Sequence, residues 1–76
     1  MSHRPMSPVE IIEAAHRRVS EAKSRNSIDY AQDTGRGALG ALLDLCLIDR
    51  DNYREAVFAL DALAASRRQQ MAGGAQ

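Results

Sequence analysis

Between Ala38 and Leu63 the chain reads ALGALLDLCLI, then DRDNYREAV, then FALDAL, and no other stretch constrains the fold as tightly. Apolar residues recur there at intervals of three and four, the pattern of a helix with one apolar face. Asp49 interrupts the run with a side chain that caps a helix N-terminus, and the apolar period resumes behind it. Ile48 before that cap and Tyr53 four positions into the new helix are placed as a hydrophobic staple. The stretch is therefore a helix, a stop and a second helix folding back. Tyr53, Ala56, Val57, Leu60, Leu63 and Ala64 form the inward stripe of the later helix, which is expected to end near Gln70.

Upstream, the chain announces one more helix. Ser7 can cap it, Pro8 suits its first position and Glu10 completes an S-x-x-E capping box. Met6 and Ile11 match a second staple. Ile12, Ala15, Val19 and Ala22 then recur at helical spacing, with Glu13–Arg17 and Arg17–Glu21 as i,i+4 charge pairs. This first helix should end near Ser24–Asn26. The middle helix is expected to start after Ser27, with a proper beginning as late as Asp33–Thr34. Its seam is Ile28, Ala31, Gly35, Ala38, Leu42 and Leu45, widened by Leu39, Leu43 and Cys46. Gly35, Gly37 and Gly40 are its weak points, because each glycine costs about 1 kcal/mol against alanine in a helix. Short connections make consecutive helices antiparallel neighbours. The expected fold is all-α, a small three-helix up-down-up arrangement in which a short first helix joins an antiparallel helical hairpin. Residues 1–6 read as a flexible leader, 7–71 as one helical domain and 72–76 as a disordered tail.

Size makes such a fold marginal. A domain of 76 residues buries only about 60% of the surface its unfolded chain exposes. The 45% hydrophobic content overstates the core, since thirteen of those residues are alanine and there is no tryptophan. Cys46 is the single cysteine, so no disulfide within the chain can help. Association is the remaining route to stability, and a homo-oligomeric helical bundle, a dimer in the first instance, is expected. A lone thiol fits a reducing compartment. The N-terminus lacks the apolar run of a signal peptide, and the stretch from Ala38 to Ile48 is too short to span a bilayer. A soluble, cytoplasmic protein is expected, without membrane partners. Zero net charge argues against bulk attraction to polyanions.

Three features invite a functional reading. Gly35-Arg36-Gly37-Ala38-Leu39-Gly40 matches G-x-G-x-x-G letter for letter. That motif needs a preceding strand, so that a tight turn can present helix N–H groups to a pyrophosphate. No strand precedes it here, and close helix packing accounts for the glycines better. Phe58 lies about 160° around its helix from the inward stripe. It shares that outer face with Arg54, Asp61, Ala62 and Ala65, as the sole phenylalanine of the chain. The middle helix has a comparable back face of Tyr30, Gly37, Gly40, Ala41 and Asp44, smooth enough to admit a partner helix. Third, the up-down-up arrangement gathers Arg18, Lys23, Arg25, Arg67 and Arg68 at one end, around the N-terminus of the middle helix and near Tyr30. Such an end could bind an anion, although basic residues also belong in last turns because they complement the helix dipole.

Catalytic chemistry finds no support in the sequence. His3 and His16 have no metal-ligand spacing to Cys46 or to an acid pair. Cys46 is expected in the apolar stripe of the middle helix, where a thiol is inert packing. No Ser–His–Asp or Cys–His set emerges, and neither a catalytic residue nor a metal or other cofactor is expected. The first functional expectation is a non-enzymatic, helical, protein-binding regulator, an inhibitor or adaptor, acting as a homo-oligomer on a protein target. Phe58, Arg54, Asp61, Ala62, Tyr30, Gly37 and Gly40 would make its contacts. The alternative is a binder of anionic ligands, nucleic acid or a small nucleotide, held by Arg18, Lys23, Arg25, Tyr30, Arg67 and Arg68. A purely structural assembly subunit is the third.

Overall fold

Three α-helices pack against one another in the computed structural model, which describes residues 6–74: α1 (Pro8–Glu21), α2 (Arg25–Asp44) and α3 (Arg50–Gly74). Residues 1–5 of the expected leader and 75–76 of the expected tail lie outside the described residues. No strand occurs among the described residues, and no helix there is long and apolar enough to cross a membrane.

Each helix start is set by a side chain. The Ser7 hydroxyl accepts from the Glu10 N–H at 3.2 Å, while the Ser7 N–H donates to Glu10 Oε1 at 3.0 Å, so the capping box closes in both directions. These bonds hold the Glu10 carboxyl below its ordinary value of 4.5, the backbone donor contributing most. Ser24 caps α2 by accepting from the Ser27 N–H at 3.1 Å. Asp49 caps α3 by accepting from the Asn52 N–H at 2.7 Å.

The role of Ser24 corrects two expected boundaries. A serine that caps the next helix must take an extended backbone, and the Ser24 φ and ψ of −146° and 163° show it. Helix α1 therefore stops at Glu21, short of Ser24–Asn26. Helix α2 begins at Arg25, ahead of both expected starts, and runs without a break through Gly35, Gly37 and Gly40. At the other end, α3 passes the expected stop at Gln70 and reaches Gly74, taking in 72–74 of the expected tail. Met71 explains the extension, because it packs against the core one turn beyond Arg67. The expected charge pairs along α1, Glu13–Arg17 and Arg17–Glu21, do not close. Arg36–Asp61 and Arg68–Asp29 join α2 to α3 instead.

Where the three helices meet, the core consists of Ala15, Val19, Ala22, Ile28, Ala31, Leu39, Leu42, Ala56, Leu60 and Ala64. Half of these are alanine, which permits close helix approach and buries little apolar area. Gly35 marks the tightest point. A methyl group there would stand 2.9 Å from Leu60 Cδ2 and 3.3 Å from Ala15 Cβ, so this glycine lets α1 and α3 both close onto α2. Ile11, Ile12, Ile48, Tyr53, Val57 and Leu63 pack around the rim of the core, as the stripes and staples anticipate.

The end of α2 differs most from expectation. The helix stops at Asp44, and Leu45 and Cys46 leave the seam for solvent. Cys46 adopts a left-handed backbone with φ 59°. Its N–H donates to the Leu43 carbonyl at 3.0 Å, and the Leu47 N–H donates to the Leu42 carbonyl at 2.9 Å. That pair of bonds is a Schellman motif, with a cysteine at the position glycine usually occupies. Cys46 is thus an exposed turn residue rather than core packing.

Candidate functional site

Helix α2 meets its two neighbours on different sides, and this decides which surfaces remain open. Ser27, Ala31, Thr34, Gly35 and Ala38 line its grooves with α1. Asp29, Gln32 and Arg36 turn to α3. Gln32 Nε2 donates to Asp61 Oδ1 at 2.8 Å, Arg36 Nε stands 3.9 Å from the same oxygen, and Arg68 donates to Asp29 Oδ1 from Nε and Nη2 at 3.0 and 2.5 Å. Arg68 Nη2 also reaches Gln32 Oε1. These contacts set α2 and α3 antiparallel and fix their register. They form a polar seam along the edge where the two helices touch, on the side away from α1.

Phe58 stands beside that seam, 76% exposed. Arg54, Ala62 and Ala65 are exposed around it, as the helical projection requires. Asp61 departs from expectation. It is half-buried and committed to Gln32 and Arg36, so it borders the Phe58 face without belonging to its open part. On α2, Gly37 and Gly40 would have nothing within 4 Å of an added methyl group. Only Gly35 of the three serves close packing inside the chain. Gly37 and Gly40 leave a shallow floor, and the register places Phe58 level with them. Tyr30, 72% exposed, falls on the opposite flank of the α2 outer face and lines a groove with α1.

The basic end is assembled as the up-down-up topology demands, but two of its five cations are occupied. Arg67 Nη2 donates to the Ala22 carbonyl at the C-terminus of α1, and Nη1 donates to Gln70 Oε1 at 3.0 Å. Arg68 is held by Asp29 and Gln32, as described. Arg18 and Tyr30 share a groove of about 530 Å³ between α1 and α2, with Glu21, Ser27 and Thr34 on its walls. Lys23 and Arg25 are exposed nearby and line none of it. The N-terminus of α2 is partly satisfied already, since Ser24 takes the Ser27 N–H. The arrangement therefore uses Arg67 to cap α1 and Arg68 to tie α3 to α2.

One surface escaped the sequence reading. Leu45 and Leu47 are 69% and 53% exposed at the α2–α3 turn, with Val9 also exposed near the start of α1. Val9, Ile12, Ile48 and Ala56 line a groove beside them. The signal that ends a helix is normally a glycine, and its absence at Cys46 hid the stop.

His16 is half-buried with Nε2 buried and without a partner, and Arg67 Nε is in the same condition. Among the described residues, no three His, Cys, Asp or Glu side chains stand together as a metal site. No family model matches the chain, and no curated protein or solved structure is detectably similar to it.

Proposed function

We infer that this chain is a small non-enzymatic protein-binding regulator, an inhibitor or adaptor, which works as a homo-oligomer through the outer face of α2 and α3. One observation carries the reading: the sole phenylalanine stands about three-quarters exposed on the longest helix. A single exposed apolar residue is common on protein surfaces. Phe58 is set apart by its surroundings, because alanines and an open glycine floor flank it and leave room for a partner to approach. Aromatic residues in such settings are the usual anchors of helix-in-groove recognition. The mechanism is occlusion: the homo-oligomer, held together through Phe58 and Arg54 of this face, covers a surface of its target. The reading places the protein in the cytoplasm, which the single exposed thiol supports.

The anion-binding alternative rests on Arg18 and Tyr30, which share a groove. Against it stands the use of Arg67 and Arg68 in holding the helices together. The two readings separate in one experiment. The protein and its Phe58→Asp variant are used as baits in extracts of the native host, at low and high salt. A stoichiometric protein captured by the parent, lost with Phe58→Asp and indifferent to salt supports the regulator. A bound polyanion that dissociates steeply as salt rises, whatever residue 58 is, overturns it. Helix content of the variant must match the parent, since Phe58 contributes nothing to the core.

A further inference from the structure

Phe58 and the Gly37–Gly40 floor lie on one face of the α2–α3 pair, at the same level along it. That juxtaposition is self-complementary. A two-fold axis parallel to the helices, placed over the polar seam, lays α3 of one chain on α2 of another without changing the level. We propose that the occupant of this face is a second copy of the chain, each Phe58 seating on Gly37 and Gly40 of the other copy. The proposal rests on the reading of the outer face as an interface and specifies how the oligomer forms.

Three features on the page support it. First, the contact is isologous, so both halves of the complementarity recur in one closed dimer and nothing propagates into a filament. The two α2–α3 pairs then make a four-helix bundle in which every adjacent helix pair is antiparallel, with α1 on the outside of each half.

Second, charge is complementary at the matching level. Arg54 and Asp44 are exposed, and neither has an ion-pair partner among the described residues. The register that pairs Gln32 with Asp61 and Asp29 with Arg68 brings Arg54 level with Asp44, so each Arg54 faces Asp44 of the second copy. Two symmetry-related pairs then frame the two Phe58 contacts. Asp29, Arg36, Asp61 and Arg68 are already paired in the seam, and Asp33, exposed one turn before Gly37 on the same stripe, is the carboxylate that must stay at the solvated margin of the contact.

Third, the area suffices. Helix α2 has 20 residues, a length of about 30 Å, and two helices side by side span about 20 Å. The face projects about 600 Å², and stable interfaces bury about 600–1,000 Å² per partner.

The glycines also supply a clean test. A Cβ added at Gly37 or Gly40 meets nothing within 4 Å among the described residues, so Gly37→Gln and Gly40→Gln are expected to keep the fold while filling the floor on which Phe58 sits. The full chain and its variants are compared by sedimentation equilibrium over a wide concentration series, with helix content measured in parallel. The parent is expected to dimerise. Phe58→Asp should weaken the dimer by about 100-fold or more, as loss of a central anchor does. Gly40→Gln should weaken it by about 10-fold or more while helix content is kept or raised, glutamine being the better helix former. Arg54→Asp should weaken it, and the double variant Arg54→Asp with Asp44→Arg should restore it. A parent that stays monomeric at every concentration overturns this packing and leaves the heterologous reading of Phe58 to the bait experiment. A dimer indifferent to Gly37→Gln and Gly40→Gln, or one the charge exchange does not restore, overturns the packing as well.

Discussion

Replacing Cys46 by glycine should stabilise the protein, and the turn between α2 and α3 fixes the size of the gain. Cys46 has φ 59°, in a Schellman motif closed by its own N–H and by that of Leu47. A side-chain-bearing residue in the left-handed region carries about 1–2 kcal/mol of steric cost, and glycine removes it. Glycine in turn loses more backbone freedom on folding, which returns about 0.4–1 kcal/mol. The thiol is exposed and has no partner cysteine, so no packing is given up. The expected net gain is about 0.5–1 kcal/mol, equivalent to a rise in Tm of roughly 2–8 °C for a chain of this size. Thermal melts followed by circular dichroism, at one protein concentration and under reducing conditions, give the answer. Cys46→Ala separates the two candidate causes, because it deletes the thiol and keeps the strained backbone. It should melt close to the parent. A Cys46→Gly variant that melts at or below Cys46→Ala would refute the argument, showing that the left-handed turn is not where strain resides.

Further outcomes follow from the same contacts. In a Phe58→Asp background, which removes self-association, Gly37→Ala should stabilise by up to about 1 kcal/mol through helix propensity. Gly35→Ala should destabilise by about 1–2 kcal/mol instead, since its methyl group meets Leu60 and Ala15; urea titrations distinguish the two signs. Arg67→Met, which removes the donor to the Ala22 carbonyl, should cost about 1.5–3 kcal/mol in the same assay, whereas exposed Arg25→Ala should stay within about 0.5 kcal/mol of the parent. The Glu10 carboxyl is held below its ordinary value of 4.5, so its contribution is complete above that value and is lost as pH falls through the lowered one. Glu10→Gln should therefore melt with less pH dependence than the parent below pH 4.5, and equal slopes would show that the capping box carries no charge-linked stability.

The interiors of the helices were legible in the sequence, and their ends less so. Val19, Ile28 and Leu60 lie in apolar stripes that no other period explains and are fully buried, as is Leu39, which the spacing set on the flank of the α2 seam. The starts at Ser7 and Asp49 were legible because a cap is a local device, completed within three residues of itself. Ser24 was legible only as a small polar residue, since both Ser24 and Ser27 could cap and the choice depends on how α1 and α2 dock. Cys46 shows the opposite limit. The tertiary fold turns the chain there although the local sequence lacks glycine, so a residue with every mark of core packing emerges in solvent. The outer position of Phe58 followed from angle alone. The capture of Asp61 by Gln32 and Arg36 did not, because it requires the register of α2 against α3. The basic end was placed correctly by topology, while the commitment of Arg67 to the Ala22 carbonyl depends on side-chain reach that spacing does not encode.

Because Ser7 and Asp49 each complete a cap within one helical turn, the starts of α1 and α3 can form before any helix meets another, and the docking of α1 on α2 then selects Ser24. Only docking remains, across connections of three residues between α1 and α2 and five between α2 and α3. Loops that short close in well under a microsecond, and chains dominated by such near-neighbour contacts reach the native state in microseconds to milliseconds. A chain of this kind passes quickly through the stage at which Phe58, Leu45 and Leu47 could seize the wrong neighbour. Exposed apolar side chains that would be a hazard in a slow-folding sheet are here compatible with efficient maturation during synthesis.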